Sequence, residues 1–465
     1  MFETTYEKRP AILVAKAYLL AACFFASPVQ ASNERPEWLP EGSLGTDLPL
    51  LDDPGGLRAE LWNRGVKYQV NYAGDLLSNR SGGLRRGSAY SGMLELEIDA
   101  DLEKGGGWKG AAFYANIFQI HGSGLSRSYV GNLLPVSEIE ALPSTRLYEA
   151  WIEQKLADGK VALRAGKLAA DTEFLSSAYA IPFINGTFGW APITAANLPG
   201  GGPAYPLATP GLRLGLYPSN QLSILLGVFN GDPAGSGNPD PQVANRHGLN
   251  FRIKDPAFVI SELHYHYGDD KSPAGLSGTA KLGAWTHFGQ FADQRYDSTG
   301  APLAMTSGQA LHHRGNRGVY GMIDQQIFRL PDDPAKGLGV FMRIGGAPGD
   351  RNLISFYADA GLNAYGMIAS RPEDVIGIAV AFARISRSAR GFNYDDITYN
   401  AVTTPLLSSE RLIEATYAAQ IAPGWTLQPN FQYVINPGAG APDPSQPGRP
   451  LRNSTIVGMR TILKF

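Results

Sequence analysis

The chain has 465 residues, a single cysteine and nearly balanced charge, with 40 Lys and Arg against 42 Asp and Glu. Balanced charge argues against a nucleic-acid-binding protein, which needs a concentrated basic surface, and one cysteine excludes an internal disulfide. Mean hydropathy is −0.15, and beyond the N-terminal residues no apolar run reaches about 18 residues, which excludes a helical membrane protein.

The N-terminus has the pattern of an export signal. A basic stretch ending at Lys16 precedes a short apolar run at 17–26, and small residues surround Ala31. We therefore expect residues 1–31 to be a signal peptide that is cleaved after Ala31. Cleavage as a lipoprotein at Cys23 is the alternative, and it is disfavoured because it leaves too short an apolar stretch before the cut.

A short helix is predicted next. Residues 32–53 are polar and rich in proline, whereas 54–64 place two leucines on one helical face and end at Gly65, a typical helix stop. The segment 32–65 therefore precedes the β-rich part of the chain, 66–465.

From residue 66 onward, apolar and polar residues alternate in segments of about 9–13 residues separated by Gly, Pro, Asp and Asn. In the segment 90–102, for example, Leu94 and Leu96 alternate with Glu95 and Glu97. A period of two with one apolar and one charged face predicts half-buried β-strands. We identify seventeen candidate strands, of which 247–253 is the shortest and weakest.

The last candidate strand, 453–465, carries the clearest signal. Val457 and Met459 lie on one face, Arg460 lies on the other, and the strand ends in an aromatic residue, Phe465. This pattern is typical of the closing strand of an outer-membrane barrel, whose terminal Phe acts as a signal for the barrel-assembly machinery. The C-terminal strand of a soluble β-protein is the alternative.

Charged residues recur on one face of many successive strands. In a transmembrane barrel that face lines a water-filled lumen and the apolar face contacts lipid. We therefore predict an all-β fold, a transmembrane antiparallel β-barrel over 66–465 with a short N-terminal periplasmic helix and long extracellular or infolded loops. Because bacterial barrels have even strand numbers, about 16 strands are favoured over 18.

Odd and even positions of a strand lie on opposite faces of the sheet, and we call this property strand parity. It also predicts which charged side chains line the channel and could contact a solute. For each of them, a structural salt bridge between neighbouring strands is the alternative. The eight residues are Glu95, Glu149, Arg164, Arg213, Glu262, Arg343, Glu414 and Arg460.

The connection at 169–209 is exceptionally long and is rich in proline, glycine and aromatic residues. A structureless loop of about forty residues is uncommon unless it is functional. We predict that it folds into the lumen and narrows it, with Phe188 and Trp190 as candidates for the constriction. An extracellular flap is the alternative.

Four stretches carry a family resemblance: the hairpin 414–438 with its Pro423-Gly424-Trp425 turn, the stretches 149–174 and 315–325, and the helix at 54–64. Together they resemble the OprB family of carbohydrate-selective porins. The resemblance implies a 16-stranded barrel in the outer membrane of a Gram-negative bacterium, which allows passive diffusion of mono- or small oligosaccharides.

The expected partners are a sugar or another small polar solute, outer-membrane lipid and lipopolysaccharide, and the barrel-assembly machinery. A porin for organic acids or anions is the main alternative, and a secreted soluble glycan-binding β-protein is a further one. Whether the barrel is a monomer or a trimer remains open.

No catalytic motif is found: the chain contains neither G-x-S-x-G nor H-E-x-x-H nor a P-loop. We therefore expect no enzymatic activity, no metal and no cofactor. His264 and His266 lie on one strand face, but two histidines without a third ligand are more typical of a polar wall.

Overall fold

The computed structural model describes residues 38–40, 42–48, 52–268, 275–331 and 333–465. The expected signal peptide, 1–31, lies outside the described residues. Within the described ranges, no helix has both the length and the apolar character needed to cross a membrane.

Sixteen strands close into a single antiparallel barrel, as the sequence predicts, and the first strand pairs with the last. A two-stranded hairpin lies outside the barrel sheet, in the connection between the last two barrel strands of the chain. The strands are β1 (Val66–Ser81), β2 (Gly87–Asp101), β3 (Ala111–Gly122), β4 (Ser144–Leu156), β5 (Val161–Leu168), β6 (Thr209–Leu216), β7 (Leu222–Asn230), β8 (Ala257–Tyr267), β9 (Gly278–Asp297), β10 (Ala310–Leu330), β11 (Asp333–Gly346), β12 (Ile354–Tyr365), β13 (Val375–Ile385), β14 (Ser409–Ala422), β15 (Trp425–Ile435), β16 (Pro442–Asp443), β17 (Gln446–Pro450) and β18 (Ser454–Lys464).

The predicted strand at 247–253 is wrong. This segment is irregular and belongs to the connection between β7 and β8. Gly248 adopts φ +68°, a left-handed conformation that interrupts an extended chain, and Arg252 forms an ion pair with Asp255 that holds the chain in a local turn. Apolar alternation is present there, but local geometry prevents pairing.

The described helices are short. They are α1 (Leu57–Asn63), α2 (Leu102–Gly106), α3 (Pro192–Ala195), α4 (Pro241–Ala244) and α5 (Arg387–Tyr399). The helix predicted at 54–64 is confirmed as α1 preceded by a 3-10 turn at Pro54–Gly56. Gly65, with φ +82°, follows it and lets the chain turn into β1.

Connections at the two ends of the barrel differ in length. One end has tight turns such as 157–160 and 423–424, and the other end has long connections at 123–143, 169–208 and 386–408. In outer-membrane barrels the short turns are periplasmic and the long loops are extracellular. The N-terminal helix lies at the end of the barrel that has the short turns.

Exposure alternates along each strand in the manner of a barrel in lipid. On β13, Ile376, Ile378 and Val380 are 43%, 51% and 48% exposed, while Ala379 and Ala381 are buried. The large apolar side chains thus face outward, where the hydrocarbon of a bilayer would cover them. The main hydrophobic core lies inside the barrel, between this wall and the infolded connections.

Candidate functional site

Two connections fold into the barrel. We call 123–143 the short infolded segment and 169–208 the long infolded segment. They bind each other through main-chain hydrogen bonds, from Glu138 N to the Ile184 carbonyl at 2.9 Å and from Gly186 N to the Pro135 carbonyl at 2.9 Å. The predicted infolding of the long segment is therefore correct, while that of the short segment was not foreseen.

Carboxylates on the wall hold the amides of the long infolded segment. Glu262 on β8 accepts a hydrogen bond from Leu175 N at 2.6 Å. Glu414 on β14 accepts bonds from Ile184 N at 2.7 Å and Asn185 N at 3.1 Å. Both carboxylates are buried, so they act as acceptors for main-chain donors that would otherwise be unsatisfied.

Arg343 on β11 holds the carbonyls of the same segment. Its guanidinium donates to Leu175 O at 2.7 Å, Gly189 O at 2.9 Å and Thr187 O at 2.9 Å. The side chain is buried and pairs with Asp359 directly across on β12. One cation therefore joins Leu175, near the beginning of the long segment, to Thr187 and Gly189 near its middle.

A second ionic cluster joins β4, β5 and β6 to the long segment. Arg164 and Arg213 are register partners, and both contact two carboxylates. Glu153 Oε2 lies 3.0 Å from Arg164 Nη2 and 2.6 Å from Arg213 Nη2. Glu173, at the start of the long segment, lies 3.1 Å from Arg164 and 2.7 Å from Arg213. The two positive charges are thus balanced by two negative charges.

Glu149 and Arg460 also act as anchors. Glu149 accepts from Ala169 N at 2.8 Å. Arg460 on β18 pairs with Asp75 of β1 at 2.7 Å and with Glu138 of the short infolded segment. Of the eight residues predicted from parity, seven contact an infolded segment directly, and Glu95 is the exception.

Sequence reasoning missed Glu410, which anchors the short infolded segment. Its carboxylate accepts from Leu133 N and Leu134 N, both at 2.8 Å, and from Gly438 N at 2.6 Å. It has the same strand parity as Glu414, so the alternation could have identified it as inward-facing. Its partners, however, are distant in sequence and carry no local signal.

The long infolded segment presents its aromatic residues mainly to the wall. Phe188 is 3% exposed and packs against Phe183 and Phe341, with ring centroids 5.0 and 6.0 Å away. Trp190 is half-buried and donates to Gly201 O at 2.9 Å. Ile181, by contrast, is 77% exposed. A constricting role for Phe188 and Trp190 stays a prediction.

The wall formed by β1, β2 and β3 carries acidic side chains on the face that points into the lumen. Glu95 accepts a hydrogen bond from Asn116 at 2.8 Å, and Glu97 accepts bonds from Asn71 at 2.5 Å and from the Tyr114 hydroxyl at 3.3 Å. Within the described part of the chain neither carboxylate forms an ion pair. The hydrogen-bond donors to these two carboxylates named here are thus all neutral.

Aromatic residues continue this wall onto β4. The rings of Tyr114 and Trp151 stack with centroids 5.0 Å apart, and the Arg164 guanidinium lies 3.6 Å above the Trp151 ring. Sequence reasoning missed both aromatic residues, although Trp151 shares the parity of Glu149 and Glu153. We call Glu95, Glu97, Tyr114, Trp151 and Arg164 the open wall.

The periplasmic mouth adjoins the open wall. A cavity of about 510 Å³ there is lined by Trp62, Lys67, Lys104 and Trp151 among others. The Lys67 and Lys104 ammonium groups lie 4.3 and 3.8 Å from the Trp62 ring, so cation–π contacts join helix α1 to the barrel.

The remaining predicted positions have ordinary hydrogen-bond partners. His264 Nε2 lies 2.6 Å from Glu262 Oε2, and His266 Nδ1 lies 3.0 Å from Thr279 Oγ1. Among the residues that the structure describes, no group of three His, Cys, Asp or Glu could hold a metal ion. Phe465 N donates to Val70 O at 2.8 Å, next to the β1–β18 closure.

The comparisons with known proteins agree with this architecture. The family model for the carbohydrate-selective porins of the OprB family matches residues 85–465. Porin B of Pseudomonas aeruginosa is 23% identical over 410 residues, covering 84% of this chain and 87% of that protein. The putative porin QuiX of Acinetobacter baylyi is 23% identical over 410 residues, covering 83% and 88%.

The high-pH structure of Pseudomonas putida OprB has the same fold. It superposes with a TM-score of 0.79 at 22% identity, covering 89% of this chain and 97% of that one. Family and fold are those of a channel rather than of an enzyme. Since the family model extends over nearly the whole barrel, the chain belongs to the OprB family of carbohydrate-selective porins and forms an outer-membrane channel.

Proposed function

We propose that this porin passes mono- and small oligosaccharides by passive diffusion, and that the solute moves along the open wall. The observation that carries the proposal is the juxtaposition there of unpaired carboxylates with stacked aromatic rings. Most other charged groups of the predicted channel lining are occupied by the infolded segments.

The chemistry of the open wall suits a sugar. Aromatic faces complement the C–H faces of a pyranose ring, while carboxylate and amide groups replace the hydrogen bonds that sugar hydroxyls make to water. Each such contact must be weak, because a tightly bound solute would block the channel. Tyr114 and Trp151 provide the apolar surface, and Glu95, Glu97 and Asn71 provide the polar partners.

The same wall disfavours organic acids. A carboxylate solute would approach the carboxyl groups of Glu95 and Glu97, which have no cationic partner among the described residues, and like charges repel. The two arginines that could attract it, Arg164 and Arg213, are already paired with Glu153 and Glu173. Neutral solutes encounter neither problem.

We accordingly propose two roles for the eight charged residues predicted from parity. Glu95 and Arg164 contact the solute at the open wall, and Arg164 also holds Glu173 of the long infolded segment. The other six fix the infolded segments and thereby set the width of the channel: Glu149, Arg213, Glu262, Arg343, Glu414 and Arg460.

Liposome swelling tests this proposal. Wild-type protein should admit neutral sugars faster than organic acids of similar size, such as quinate. In Glu95→Gln/Glu97→Gln the uptake of acids should rise toward that of sugars. The matched control, Glu60→Gln/Glu373→Gln, removes two exposed carboxylates outside the barrel strands and should behave as wild type. Faster uptake of acids than of sugars by the wild type would refute the proposal.

The aromatic contribution can be measured separately. In planar bilayers, sugars that bind in the lumen interrupt the ion current. Trp151→Leu should weaken this sugar-dependent block, since it removes the indole ring that stacks on Tyr114 and lies beneath the Arg164 guanidinium. Trp425→Leu removes an exposed tryptophan at the periplasmic end of β15 and should leave the block unchanged.

We further propose that the chain is exported with a signal peptide cleaved after Ala31, that 32–65 lies in the periplasm, and that Phe465 serves as the assembly signal. Pairing of Phe465 with Val70 at the barrel closure supports the last point. Intact mass of the protein from outer membranes would reveal the cleavage site, and deletion of Phe465 should slow assembly. No catalytic activity is proposed, and a lipid-hydrolysis assay should give a blank.

A further inference from the structure

A group of arginines lies on the outer surface of the barrel at its extracellular end. Arg384 on β13 and Arg411 on β14 share the outward parity of Ile378 and Val380. Arg387 and Arg390 follow at the start of α5, and three of these arginines line a groove of about 560 Å³ with Ser408 and Ser409.

None of these four guanidinium groups is in an ion pair within the described part of the chain. Arg384 instead lies 5.1 Å from the Phe356 ring and Arg411 lies 5.8 Å from the Phe382 ring. Cations resting on aromatic rings at the end of an apolar surface are typical of a membrane interface, where the charged group reaches toward the headgroups.

The start of α5 strengthens the positive potential. The helix begins at Arg387 and has no acidic residue in its first turn. The N-terminus of a helix carries a partial positive charge, so two cations placed there repel it unless an anion is bound nearby. Three arginines and a helix N-terminus therefore line one groove, Arg411 lines the cavity next to it, and none of the four has a negative partner among the described residues.

Below the arginines the groove continues as an apolar trough. A cavity of about 370 Å³ is lined by Ala358, Ala360, Val380 and Phe382, and Phe382 also lines the arginine groove above it. A further cavity of about 530 Å³ follows, lined by Ile376 and Ile378 among others. The trough exists because β12 presents small alanines between the larger side chains of β11 and β13.

The length of this trough matches one leaflet. From Arg384 to Ile376 the chain extends by roughly 26 Å at about 3.3 Å per residue. With strands tilted by about 45°, this is about 18 Å of depth, compared with roughly 15 Å for half of the hydrocarbon core.

We propose that this surface is a binding site for a phosphorylated, acylated glycolipid of the outer leaflet, the lipid A part of lipopolysaccharide. Arg384, Arg387, Arg390 and Arg411 bind its phosphates by charge-assisted hydrogen bonds, and an acyl chain lies in the trough along β12 and β13. The charge complementarity selects this occupant, because a zwitterionic lipid or a second copy of the chain would leave the four cations unpaired.

Native mass spectrometry of the full barrel in detergent tests the proposal, with added lipid A and its dephosphorylated form as probes. Lipid A should remain bound to the wild type, and the dephosphorylated form should bind at least about tenfold more weakly. Arg384→Gln/Arg387→Gln/Arg411→Gln should reduce lipid A binding by a similar factor. The matched control, Arg86→Gln/Arg449→Gln/Arg452→Gln, removes three exposed arginines that do not line the groove and should bind as wild type.

A second variant tests the acyl chain and does not depend on the arginines. Ala360→Leu fills the trough on the lipid-facing side and leaves the side chains that point into the barrel unchanged. The barrel should therefore assemble normally, but it should bind lipid A more weakly than the wild type does. Equal binding of lipid A and its dephosphorylated form would overturn the proposal. An equal loss of lipid A binding in the two triple-arginine variants would also overturn it. So would a stable oligomer of the wild type that does not bind lipid A and that dissociates in Ala360→Leu.

Discussion

Arg343 should control how firmly the long infolded segment is held. The substitution Arg343→Met keeps the length of the side chain and removes three hydrogen bonds to the carbonyls of Leu175, Thr187 and Gly189. It also leaves Asp359 buried without its cation. Breaking a buried ion pair by removing one partner costs about 3–5 kcal/mol.

That cost falls on the local opening of the segment, because the barrel ladder does not involve the Arg343 side chain. A change of about 3–5 kcal/mol raises the population of the open state by a factor of roughly 10² to 4 × 10³. We therefore expect an assembled, heat-modifiable barrel with higher and noisier single-channel conductance. Chymotrypsin should cut it within 169–208, a stretch with six aromatic residues.

Two further variants separate the contributions. Asp359→Asn removes the counter-charge of Arg343 but leaves its three carbonyl partners, so the segment should open less often than in Arg343→Met. Arg317→Met removes an exposed arginine on the outward face of β10 and should have no effect on conductance. Wild-type conductance and wild-type chymotrypsin resistance in Arg343→Met would refute the reasoning, since the other anchors would then suffice.

Three other outcomes are expected. Glu410→Gln should destabilise the closed position of the short infolded segment by about 1–3 kcal/mol, since a neutral amide accepts less well from Leu133 N and Leu134 N. Hydrogen exchange of those two amides should become faster. Unchanged protection of the two amides would count against the anchoring role. Glu95→Gln should lower cation preference, measured as a smaller reversal potential in a KCl gradient, with assembly intact. Val457→Arg places a charge on the lipid face at a cost of about 2–4 kcal/mol and should reduce the heat-modifiable fraction, whereas Val457→Leu should not.

Strand positions were predictable because lipid and lumen impose a strict period of two. The predicted segment 425–435 coincides with β15 (Trp425–Ile435). The predicted strands were too short where strands extend beyond the membrane. For example, the predicted strand 278–291 corresponds to β9 (Gly278–Asp297). Residues 292–297 alternate poorly because both faces of a protruding strand can contact water, so the sequence no longer distinguishes them.

Side-chain direction was predictable, but partners were not. Parity placed Glu262 on the inside, and it is buried there. Nothing near residue 262 in the sequence indicates that its carboxylate binds Leu175 N. The short infolded segment was missed for the same reason, although its apolar residues Leu134 and Val136, both fully buried, were a signal that a solvent-exposed loop would not carry.

The chemistry of the anchors explains why a barrel wall needs charges of both signs. Strand backbones are saturated by the ladder, so only side chains can satisfy the main chain of an infolded segment, whose buried amides and carbonyls would otherwise cost free energy. Carboxylates accept and guanidinium groups donate. Accordingly, Glu262 and Glu414 bind amides, and Arg343 binds carbonyls.

The sign of each anchoring charge therefore follows the polarity of the loop group opposite it, rather than the charge of a solute. Groups engaged in this way have little capacity left to select ions. Selection then depends on the few wall charges that no loop covers, and among the eight residues predicted from parity Glu95 is the one that contacts neither infolded segment. For this reason, the effect of Glu95→Gln on ion preference should exceed that of substitutions at the anchors, which act on pore width.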